Sequence, residues 1–233
     1  MIRFCALTGP VGIVGFLFGF AILAGFVPPT DPTDSAEQIA AFYGEHLELI
    51  RFGLVLTLPS ALLFLFFFVA VSHELWRLER PGFPVLAILN LSGALILLVF
   101  FVVCSMVWIT ASFRQSTDAE GIRQLHDLGW LIFVMVWPEY TIQMCAIGYA
   151  TLKDTAGAGP FPRWFGWFCF WVALSGAGGT LAVFFKDGPF AWNGLVGFYI
   201  PFAVFVIWLG MMTTFLLRAA PRSEPELDPI AAP

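Results

Sequence analysis

Six apolar runs alternate with polar segments along this chain, near residues 9–27, 50–72, 84–109, 129–151, 164–185 and 191–217. A helix needs about 20 apolar residues to cross the hydrocarbon core, and each run is long enough. Backbone amides in lipid must be satisfied within their own segment, so runs of this length predict helices. The expected fold is an all-α, polytopic membrane bundle of six transmembrane helices over residues 1–217. The tail 218–233 contains "PRSEPELDPIAAP", polar and rich in proline, and is expected to be a disordered cytoplasmic segment. The first run follows Arg3 as a signal peptide would. Its long apolar core and the lack of a small-residue cleavage site favour a retained helix.

Composition agrees with the pattern. The chain is 59% hydrophobic and 12% charged, against about 25% charged residues in soluble domains. A net charge of −5, with the acids gathered between spans, argues against a nucleic-acid partner. Cys5, Cys104, Cys145 and Cys169 form no C-x-x-C pair and read as small buried hydrophobes.

Lysine and arginine set the orientation. Arg3, Arg77, Arg80, Lys153, Arg163, Arg218 and Arg222 fall at one end of the spans; Arg51, Arg114, Arg123 and Lys186 fall at the other. The excess places both termini in the cytoplasm. Each even-numbered span also carries one proline past its outer end: Pro59, Pro138 and Pro201. Ala36, Glu37 and Ile39 with His46 echo Ala119, Glu120 and Ile122 with His126. The echo suggests three repeated hairpins, with a site at their interface. The segment before span two has an apolar stripe of Ala36, Ile39, Ala40 and Tyr43, capped by Asp34 or Ser35. It reads foremost as a helix on the headgroups and secondarily as a lid.

The chemistry-bearing candidates are few. Glu139 follows Pro138 inside span four, where a charge costs roughly 2.5–3.5 kcal/mol. It is therefore expected to face the bundle or a wet cavity, and burial drives a carboxyl toward its neutral, proton-donating form. Gln143 lies one turn on, on the same face. Pro138 is expected to kink the span and free the Val134 carbonyl. Tyr140 and Asn90 join the group as ligand-orienting candidates. The alternative for Gln143 and Asn90 is helix-to-helix bonding.

"FFKDGPFAWNG" (184–194) reads as a turn with Trp192 in the aromatic belt and Asn193 capping span six. Lys186, Trp192 and Asn193 together can also hold a carboxylate or headgroup. His46 and His126 have carboxylates nearby but no ligand spacing, so no metal is expected, and no haem or other cofactor. Trp164, Trp167 and Trp171 form one stripe on span five, suited to lipid or helix packing. Gly12, Gly15 and Gly19 permit close helix approach within one subunit, or to a second copy or partner subunit.

"WITASFR" (108–114), "LHDLGWLIF" (125–133), "PFPRWFGW" (160–167) and "FFKDGPFAWNG" resemble a family of actinobacterial multispanning membrane proteins without an established activity. The resemblance runs from "SAEQIAAFY" to span six. It implies a bacterial inner-membrane protein and assigns no residue a role. No Walker loop, histidine box or nucleophile elbow is present. The favoured expectation is binding or transport of a small lipophile, in contact with membrane lipids. An enzyme with Glu139 as general acid and an accessory subunit are the alternatives.

Overall fold

The computed structural model describes residues 1–113, 118–157 and 159–220. The expected tail, with Arg222, lies outside these except for its first residues, and so does Arg114. Among the described residues the chain is an all-helical bundle with six helices long and apolar enough to span a membrane.

Helix α1 (Ile2–Leu17) continues through a wide π turn, Phe18–Leu23. Helix α2 (Ala36–Glu45) is short, and α3 (Leu47–Glu79) and α4 (Val85–Phe113) follow as long crossings. Span four is two helices, α5 (Ala119–Val134) and α6 (Trp137–Lys153). Helix α7 (Arg163–Thr180) ends in a 3-10 turn, Leu181–Phe184. A π turn, Leu195–Tyr199, leads into α8 (Ile200–Ala219). The helices outrun the apolar windows. At 1.5 Å per residue, the 33 residues of α3 reach about 50 Å, well beyond a hydrocarbon core of about 30 Å. Its polar ends, which a hydropathy window leaves out, are long enough to extend past the hydrocarbon core.

The three prolines have three different surroundings. Pro59 lies inside the unbroken α3. Pro138 stands in the first turn of α6, and Pro201 in the first turn of α8. The echoed segments differ as well: α2 is a separate helix ending at exposed His46, whereas α5 runs from buried His126 straight into the membrane. Those two segments pack on each other, and their likeness in sequence does not make them equivalent in the fold.

Packing takes two forms. Glycines let helix backbones touch: a Cβ on Gly19 would lie 2.5 Å from the Gly53 carbonyl oxygen, and one on Gly12 would lie 3.1 Å from that of Ser60. The glycine stripe of span one is therefore used against α3 of the same chain. Aromatic rings fill the rest, as where Phe20 stacks on Phe133 at 5.2 Å and Phe26 meets Trp108 edge-on at 4.9 Å. Trp164, Trp167 and Trp171 are all exposed on the outside of the bundle, the lipid-facing arrangement expected of their stripe.

Candidate functional site

Why a proline and a glutamate stand together in span four is answered by the local fold. Pro138 lacks an N–H, and its ring excludes the carbonyl four residues back. In the first turn of a helix neither property is a cost, because those amides have no intrahelical acceptor. The chain leaves α5 through Met135 and Val136 and restarts at Trp137 with Pro138 beside it. Glu139 is then the first-turn acid of α6, at the positive end of the helix dipole. The pair is a helix start within an apolar run, where the sequence suggests a kink.

The break is held open by glycine. "SGAGGT" (175–180) ends α7. A Cβ on Gly179 would lie 2.1 Å from the Val134 oxygen, and one on Gly178 would lie 2.4 Å from that of Val196. Only a residue without a side chain lets these backbones meet. Three irregular segments thus converge: the α5–α6 break, the glycine end of α7, and the π turn before α8. Irregular backbone at membrane depth is tolerated where protein buries it or where it lines a cavity. Here a cavity of about 100 Å³ is lined by Leu97, Phe101, Phe133, Val134, Val136, Trp137, Tyr140, Gly176, Gly197, Phe198, Pro201, Phe202 and Phe205. A second cavity, of about 50 Å³, shares Leu97, Phe101, Phe133, Phe202 and Phe205 with it. Trp137 donates its indole N–H to the Ala173 carbonyl at 3.2 Å. The Tyr140 hydroxyl is buried with no partner among the described residues.

The candidates from the sequence do not form one site. Tyr140 lines this cavity. Glu139, expected to face the bundle or a wet cavity, is half-buried in a separate surface groove with Phe100, Leu131, Ile132, Met135, Val136 and Pro138. The reason is angular: Glu139 and Tyr140 are consecutive, so a helix turns them about 100° apart, and the break sets Tyr140 inward. Gln143 is fully buried against Gly93, with its amide nitrogen 3.3 Å from the Glu139 carbonyl oxygen. Asn90 faces α3, donating to the Ser72 hydroxyl at 2.8 Å, the helix-to-helix role. Changing Glu139 to Gln is expected to move unfolding stability by less than about 0.5 kcal/mol, as for surface substitutions generally. A thermal or denaturant melt checks this, and a loss above about 1 kcal/mol would reveal a partner for the carboxylate.

The outer end is organised differently from expectation. Trp192 is buried and donates to the Thr30 carbonyl at 2.9 Å, so it anchors the first outer segment and takes no place in a belt. Asn193 does not cap span six: Gly194 holds that position, without a side-chain bond. Asn193 instead bonds Asp31, whose carboxyl is held below the usual carboxylate range chiefly by the hydroxyl and amide of Thr33. Lys186 is exposed, within electrostatic range of Asp127. Ser35 caps α2 in a reciprocal box with Gln38. Helix α2 buries Ile39 and Tyr43 on α5, so its apolar stripe is used to cap the bundle.

His126 is the hub of this cap. Its ring is fully buried among Phe26, Phe42, Tyr43 and Trp130. The Trp130 indole N–H lies 3.0 Å from Nε2, and an indole only donates. Nε2 must therefore accept, and the ring proton sits on Nδ1, 3.0 Å from the Tyr43 hydroxyl. The Thr30 hydroxyl reaches the same Nε2 at 2.7 Å, and Trp108 donates to the His126 backbone carbonyl at 3.2 Å. Both ring nitrogens are engaged, so this is a structural hydrogen-bond centre. Thr30 and Tyr43 carry no sequence signal for this role, because each is distant from His126 along the chain. The "SGAGGT" run is a legible signal that the apolar pattern hides.

Compared with protein-family models, curated proteins and solved structures, the chain matches none.

Proposed function

We propose that this multispanning membrane protein binds or moves a small lipophilic molecule, held in the cavity beside the α5–α6 break. The observation that carries the reading is the cavity itself: an apolar space at the meeting of three irregular backbone segments, with a buried, unpartnered tyrosine hydroxyl in its wall. Discontinuous helices that meet at one place are a recurrent way to build sites within a membrane. Apolar walls with a single polar group suit an apolar ligand bearing one hydrogen-bonding function. Size narrows the class. The cavities, of about 100 and 50 Å³, are each smaller than the roughly 150 Å³ that holds benzene elsewhere. The ligand is thus a slender molecule, or the end of an acyl or isoprenoid chain.

Among the described ionisable side chains only Tyr140 lines the cavity, which favours binding or passage over acid catalysis by Glu139. The resemblance to actinobacterial membrane proteins and the excess of Lys and Arg near the termini support a bacterial cell membrane with both termini cytoplasmic. To test the reading, purified protein in nanodiscs is titrated with two probes, geraniol and decanoic acid, by quenching of tryptophan fluorescence. Val136→Phe, which fills the cavity, is expected to weaken binding of the better probe by about tenfold or more, a loss of at least about 1.4 kcal/mol. Tyr140→Phe, which deletes one hydrogen bond, is expected to weaken it about five-fold. Equal binding by all three proteins would end the proposal.

A further inference from the structure

The end of the bundle that carries Met1 and Ala220 holds a wide groove, far larger than the cavity described above. Its volume is about 710 Å³, and it lies between the end of α3, the turn leading to α4, and the end of α6. Three cations line it: Arg77, Arg80 and Lys153. Arg77 is engaged by buried Glu74 at 3.0 Å. Arg80 and Lys153 form no ion pair with any described residue. Each is instead set over an aromatic ring, Arg80 at 5.9 Å from the Trp76 centroid and Lys153 at 6.0 Å from that of Tyr149.

Two acids share the groove, and both accept hydrogen bonds from backbone amides. The Glu79 oxygens accept from the Leu86 and Ala87 amides at 2.8 and 2.9 Å, capping the start of α4. Asp154 accepts from the Gly159 amide at 2.7 Å. Among the described residues no carboxylate lies within ion-pair distance of either cation, which leaves both able to take an anion. The rim adds the second half of a recognition surface: Phe83, Val85 and Tyr149 are exposed apolar and aromatic side chains at the ends of spans.

We propose that this groove seats the headgroup of an anionic phospholipid from the adjacent leaflet. The phosphate lies between Arg80 and Lys153, a planar fork and a point charge that together can satisfy its oxygens. The glycerol and first acyl carbons rest on Phe83 and Val85. Basic residues at a membrane surface contribute about 1 kcal/mol each toward anionic lipid, and basic pockets at helix ends are known headgroup sites. Free phosphate shares the ionic half of this chemistry but has no use for the apolar rim.

The test is native mass spectrometry of the full chain released from detergent carrying equimolar phosphatidylglycerol and phosphatidylcholine. Wild type is expected to retain phosphatidylglycerol about tenfold over phosphatidylcholine. R80Q and K153Q, made singly, are each expected to reduce that preference about three-fold or more, and K153R to keep it. Single variants are used so that one folding failure leaves the other to decide. No preference in wild type overturns the proposal, as does a preference unchanged in both glutamine variants. Displacement of bound phosphatidylglycerol by millimolar inorganic phosphate also overturns it and assigns the groove to the free anion.

Discussion

Replacing His126 with leucine is expected to destabilise the protein by about 2–5 kcal/mol. Leucine nearly fills the volume, so the loss is of hydrogen bonds and not of packing. The Trp130 indole N–H and the Tyr43 hydroxyl lose their partners inside a fully buried aromatic cluster. An orphaned buried polar group costs about 1–3 kcal/mol; here the Trp130 N–H and the Thr30 hydroxyl lose the Nε2 acceptor, and the Tyr43 oxygen loses the Nδ1–H donor. Tyr43→Phe removes only one bond and leaves Nδ1–H unpaired, so about 1–2 kcal/mol is expected. The double variant is expected to cost less than the sum, because the two residues share a bond. Denaturant unfolding followed by tryptophan emission reads the effect directly, since Trp108 and Trp130 both bond to His126. A loss below about 0.5 kcal/mol for His126→Leu would show that the cap does not rely on this centre.

Gly179→Ala is expected to cost about 2–3 kcal/mol, although it adds only one methyl group. The new Cβ would meet the Val134 carbonyl oxygen, a backbone atom with no rotamer to escape into. Either α7 withdraws or the α5–α6 break closes, and both rearrange the wall of the cavity. Ligand affinity and stability are therefore expected to fall together. Gly210→Ala is the matched control. It lies exposed in α8 with open space around its added Cβ, and alanine there improves helix propensity by up to about 1 kcal/mol. Melts of the two variants in the same detergent separate a steric contact from a general effect of glycine replacement. An unchanged melt for Gly179→Ala would mean that the backbone approach can relax freely.

The sequence by itself determined the class, because that depends on amounts and lengths. Six apolar runs and 12% charged residues admit no soluble fold, and lipid leaves no option but helix for such runs. It also narrowed the α2 cap to Asp34 or Ser35 and put Trp164, Trp167 and Trp171 on one face, both read from spacing within one element; the structure chose Ser35 and exposed the tryptophans. What depends on which elements meet was decided only by tertiary structure. Pro138 and Glu139 look like a kink with a buried acid until α7 supplies Gly179 to hold the helix open, after which they are a helix start. The glycine stripe of span one is ambiguous between partners until α3 occupies it. His126 has Trp130 one turn on in its own helix, and becomes a hub only when Thr30 and Tyr43 arrive from two other segments. Hydropathy along one strand of sequence records what each residue costs in lipid. It does not record which other residue satisfies it, and in this protein those pairings shape the candidate site.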